Sequence, residues 1–80
     1  MSLKKLRVSI DSIDSRILKL LNERAKVTLR VGGVKLKRNE SIYVPEREYE
    51  VYKKLADNNK GPLSNTALQA IYREVMSSSL

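Results

Sequence analysis

Apolar residues recur along the first half of the chain at Leu3, Leu6, Ile10, Ile13, Ile17 and Leu20, and resume at Val27, Val31 and Val34. The steps alternate three and four, which is the seam of one long amphipathic helix, expected over about 3–38. Asp11 and Asp14 lie early in it and Lys35, Lys37 and Arg38 late, an order that suits the helix macrodipole. The pair Gly32-Gly33 costs ~1 kcal/mol per glycine in a helix interior. It reads as a tolerated thin spot, where another backbone or a ligand comes close, and not as a stop. "RNESIY" breaks the period and reads as a loop. Pro45 suits the first position of a second helix, about 45–57, with Glu46 and Glu48 in its first turn. That helix runs through Val51, Tyr52 and Leu55 and fails at "DNNKGP". Ser64 is a candidate N-cap for a third helix, about 64–79. Leu68, Ile71, Tyr72, Val75 and Met76 form its apolar face, which Ser79 continues. With three helices, one of them very long, and no strand signal, the expected class is all-α.

Length makes this picture unstable as it stands. Eighty residues make one small domain, here taken as 1–80, and a chain that short buries only ~60% of its unfolded surface. Disulfides, a metal or a partner chain are the usual remedies. Cysteine and histidine are both absent. Disulfides, zinc sites of the common kind and Cys or His catalysis are therefore excluded, and no metal or cofactor is expected. Oligomerisation is the remedy left open. No apolar run approaches the ~20 residues that span a bilayer. The N-terminus lacks the pattern of a signal peptide, so the expected location is the cytoplasm.

Charge narrows the partner. The formal net charge is +7, from 16 Lys+Arg against 9 Asp+Glu, which suggests an anion: nucleic acid, a membrane surface or a small polyanion. Arg24 occupies the place where the seam, stepping from Leu20 to Val27, requires an apolar residue. Lys35 follows after eleven residues, so the two return to within ~20° of each other, about 16 Å apart along the axis. Burying an unpaired charge costs several kcal/mol, so inward cations need anionic partners. Two readings of Arg24 stand. In one, it pairs with Glu48 or Glu50 of the second helix or snorkels out of the seam. In the other, it lines a polar pocket set into a helical bundle, to which Arg47 and Glu48 are also delivered. Arg7 precedes Lys35 by 28 residues, roughly 42 Å of helix, so both cannot touch one small ligand within one chain. Two chains packed antiparallel along the first helix would bring Arg7 of the partner subunit toward the middle or far end of this one.

The fragments "LRVSIDSIDSRILKLLNERAKVTLRVGGVK", "IYVPERE" and "GPLSNTALQAIYREVMSSSL" resemble, in order and spacing, the all-helical class of chorismate mutases. They are most similar to the mutase domain of bifunctional chorismate mutase–prephenate dehydratase proteins. The resemblance implies an intertwined homodimer and an isomerase that converts chorismate to prephenate in Phe and Tyr biosynthesis, with no cofactor. It implies that Arg7 is donated in trans, that Arg24 and Arg47 bind substrate within the chain, and that Lys35 reaches the ether oxygen. Glu48 resembles the acid at the ring hydroxyl and Ser79 a serine near a substrate carboxylate. Two departures follow. Val44 stands where some members carry an aspartate near the ring hydroxyl. The sequence ends at Leu80, whereas the family places a Gln or Glu about three residues further on, at the breaking ether oxygen. Either the sequence stops short of that residue, or the protein works without that donor and less well.

The chemistry agrees with the composition. A pericyclic shift moves no proton and forms no bond to the protein, so it needs neither His nor Cys. It needs a flexible dianion held compactly, and arginine forks grip carboxylates in two places. Two rivals come from other classes. A nucleic-acid-binding module would cluster its cations on an exposed face with stacking aromatics. Here the cations are scattered, and three of the four tyrosines fall at helical spacings suited to packing. Neither nucleic acid nor membrane is expected as a partner. The alternative is a non-catalytic or weakly active dimerisation or regulatory domain of the same fold.

Overall fold

The computed structural model describes residues 2–41 and 43–79. Met1, Ile42 and Leu80 lie outside it, and with Leu80 the expectation attached to the end of the chain. The described residues form α1 (Leu3–Lys37), α2 (Pro45–Asn58) and α3 (Asn65–Ser77), with no strand among them.

Each helix end has a local cause. Ser2 Oγ accepts from the Lys5 N–H at 3.2 Å and so caps α1. At the other end Asn39 adopts a left-handed φ of 58°. Glu40 N–H donates to Lys35 O at 2.8 Å and Asn39 N–H to Leu36 O at 3.1 Å. This paired closure, with Asn in the left-handed position, stops α1 at Lys37. Pro45 opens α2, and Glu46 and Glu48 in its first turn favour the positive end of the helix dipole. Ser64 Oγ accepts from Ala67 N–H at 3.1 Å and caps α3.

The sequence reading runs the third helix to residue 79, and the structure stops it at Ser77. The hydroxyls of Ser78 and Ser79 both donate to Val75 O, at 2.8 and 3.1 Å. Side-chain bonds of this kind compete with the helical ladder, and the backbone bond of Ser79 tightens to Met76 O, three residues back, at 3.3 Å. Ser79, just past the last helical residue, still falls on the side of Val75 and Met76, as its bonds to both show.

At Gly32-Gly33 the structure bears out the continuous helix. The helix continues through the pair, but a Cβ at either glycine would meet nothing within 4 Å. Within this chain no other backbone comes close there. Tyr49, one of the tyrosines placed at packing spacing, is 67% exposed.

The helices do not close into a globule. α2 and α3 pack on each other, while α1 extends past them, giving extents of 55 × 23 × 16 Å. The radius of gyration is 15.9 Å, against about 11.6 Å for a compact chain of this length. The accessible surface is 7108 Å², against about 4,900 Å² for a compact 9.1 kDa protein. The excess is apolar in large part. Met76 is the single buried hydrophobic residue among those described, and Leu3, Ile10, Ile13 and Ile17 of the seam all stand open.

Candidate active site

A cavity of about 290 Å³ opens where α1 passes α2 and the end of α3. From α1 come Arg24, Thr28 and Lys35, at steps of four and seven, which return to one strip of a helix. From α2 come Arg47 and Glu48, placed by the turn that begins at Pro45. Ser79 arrives from just past the end of α3. Val31, Val44, Val51 and Met76 supply apolar wall between these polar groups.

Five of the six residues singled out in the sequence, namely Arg24, Lys35, Arg47, Glu48 and Ser79, therefore line one cavity. The sixth, Arg7, does not. It is exposed, 17 residues before Arg24, about 26 Å away along the axis of α1. Val44 does line the cavity, so its side chain brings no hydrogen-bonding group to that wall.

The electrostatics separate the two readings of Arg24. The ion pairs among the described residues are Arg38–Glu40, Arg47–Glu50 and Lys53–Asp57. Arg24, Lys35 and Glu48 take part in none of them. Glu50 reaches Arg47 instead of Arg24, at 3.3 Å, because residues three apart on a helix are neighbours. Arg24, Lys35 and Glu48 are each half-buried. The cavity thus gathers three cations against one lining carboxylate, over an apolar floor. That arrangement suits a small anion better than a cation or an apolar guest. Among the described residues no cluster of acidic side chains could hold a metal ion.

Two lining residues escaped the sequence reading. Thr28 donates its hydroxyl proton to Arg24 O at 3.0 Å, leaving the oxygen as an acceptor at the cavity. Its spacing from Arg24 and Lys35 made it legible. Tyr43 enters from the loop before Pro45, where no periodicity exists to assign it a face. A second hollow, of about 320 Å³, lies along α1 and shares Val27, Val31 and Lys35 with the first; Arg30, Val34, Arg38 and Glu40 complete its sides.

Fold and site together define a class: an all-helical protein with an open, cation-lined cavity. The chain belongs to the family Chorismate mutase type II, which it matches over residues 6–80. It is 50% identical over 82 residues to the bifunctional chorismate mutase/prephenate dehydratase of Aquifex aeolicus, and 48% identical over 83 residues to that of Stutzerimonas stutzeri. Both alignments cover 98% of this chain and 23% of the relative, so the chain spans about a quarter of their length. Among solved structures, it superposes on the chorismate mutase of Thermus thermophilus (Form I) with a TM-score of 0.95 at 28% identity, covering 98% of each chain. It superposes on the chorismate mutase of Helicobacter pylori in complex with prephenate with a TM-score of 0.87 at 32% identity, covering 96% of this chain and 83% of that one. No described helix is long and apolar enough to cross a membrane.

Proposed function

We propose that this chain is a chorismate mutase, an isomerase that rearranges chorismate to prephenate on the route to phenylalanine and tyrosine. One observation carries the reading. Arg24 and Lys35, drawn from the seam of a single helix, meet Arg47, Glu48 and Ser79 at one cavity, and neither seam cation has a carboxylate partner among the described residues.

The reaction breaks one C–O bond as one C–C bond forms, within a single molecule. Arg24 and Arg47 grip the two carboxylates through charge-assisted hydrogen bonds and hold the side chain over the ring. Glu48 accepts from the ring hydroxyl, without help from Val44. Negative charge grows on the ether oxygen as its bond lengthens, and the Lys35 ammonium stabilises that charge more in the transition state than in the ground state.

The reading includes a homodimer. A single chain leaves about 2,200 Å² more surface exposed than a compact protein of its mass, of the order buried in obligate interfaces. Two chains antiparallel along α1 cover the open seam and bring Arg7 of the partner subunit to the cavity, where it completes the anion grip. In this reading residues 1–80 act as one mutase domain, and the proposed setting is the cytoplasm.

Ultraviolet detection of chorismate consumption tests the proposal. The protein should turn chorismate over. Lys35→Ala should keep its helical content and lose roughly 10²–10³ in rate, the cost of removing one such donor. No turnover by the unaltered chain overturns the assignment, and an unchanged rate in the variant removes Lys35 from the mechanism.

A further inference from the structure

Of the three cavity cations, one is already engaged. Arg47 Nη1 lies 3.3 Å from Glu50 Oε2, and the two side chains are 62% and 61% exposed. Glu50 sits one turn beyond Arg47 on α2 and does not line the cavity. The pair therefore holds one guanidinium nitrogen of a cavity-lining arginine on a carboxylate outside the lining, while Arg24 and Lys35 have no such partner among the described residues.

Resting on the mutase reading above, we propose that Glu50 is a positioning residue that competes with the substrate for Arg47 and so sets substrate affinity. Three cations around about 290 Å³ repel one another, with only Glu48 among the lining residues to offset them. Holding Arg47 on Glu50 relieves part of that repulsion. A dicarboxylate entering the cavity supplies the missing negative charge, and Arg47 exchanges one carboxylate for another. Because both partners of the existing pair are mostly exposed, it is weakly held and the exchange is easy. Glu50 thus acts on the free protein and not on the transition state. Its removal belongs in KM and not in kcat.

Steady-state chorismate kinetics of Glu50→Gln test this at low and at high salt. KM should fall by roughly 1.4- to fivefold at low salt, the range an exposed ion pair spans, with kcat unchanged. The difference should shrink at high salt, where exposed charges are screened. Glu50→Ala should shift KM in the same direction, which separates the loss of charge from the shape of the glutamine. If chorismate is not turned over, the same comparison is read from the dissociation constant for prephenate. An unmoved or raised constant at low salt, in a chain that turns over chorismate or binds prephenate, overturns the role of Glu50 and leaves the mutase reading intact. No turnover and no prephenate binding by the unaltered chain overturns both.

Discussion

The two halves of α1 carry the same three-four pattern and meet different fates. From Leu3 to Glu23 every residue is exposed, including Ile10, Ile13 and Ile17 of the seam. From Arg24 onward Arg24, Ala25, Thr28, Gly32 and Lys35 are half-covered by the rest of the chain. That covered strip is the one carrying the cations. The neighbouring apolar residues Val27 and Val34, roughly a quarter turn round the helix, remain about half exposed at 54% and 49%. A continuous seam states that a helix will bury one face. It does not state whose residues will cover it, nor that cover and apolar residues coincide within one chain. Here the chain's own α2 and α3 close over the polar strip and leave the apolar one to something else.

The largest test of this contrast is a charge placed in the uncovered half. If a second chain covers Ile13, then Ile13→Asp strands a buried carboxylate at about 3–5 kcal/mol. Sedimentation should then show monomers where the unaltered chain gives dimers. An undisturbed dimer would mean that the N-terminal half of the seam is not the interface.

Next in size is the sharing of sites. Arg7→Ala and Lys35→Ala should each remove most turnover. Mixing the two chains should restore part of it, because one site of a heterodimer then carries both defects and the other neither. Verified heterodimers without recovery would show that Arg7 serves no site in trans.

A smaller effect sharpens the same boundary. Gly33 is exposed, at an ordinary helical φ, with open space where a Cβ would stand. It lies on the side of α1 away from the seam, so Gly33→Ala should stabilise the protein by about 1 kcal/mol, raising the melting temperature by several degrees. A fall would place a partner's backbone against that face.

The elements of the fold were legible because their signals are local. The three-four spacing, Pro45, Ser64 and the first-turn acids each act within a turn of their own position. The structure shortened the third helix because two serine hydroxyls turn back on Val75, a choice that serine composition does not reveal. The cations were legible for a related reason: Arg24 interrupts an apolar series, and only a positional rule makes that visible. Arg47 and Glu48 were placed by the helix start at Pro45. Tyr43 was not legible, since a loop has no period, and the preference of Glu50 for Arg47 over Arg24 depends on which side chains actually meet.

By itself, then, the sequence determined the helices, where each begins and the presence of inward cations, since backbone propensity, capping and helical spacing are properties of neighbours along the chain. Only the tertiary structure decided that α1, α2 and the end of α3 bring five of those residues round one cavity while Arg7 stands about 26 Å from Arg24 along the helix. The reason is physical. Convergence depends on how separate helices lie against one another, and that follows from the surfaces they bury together, which no single stretch of sequence contains.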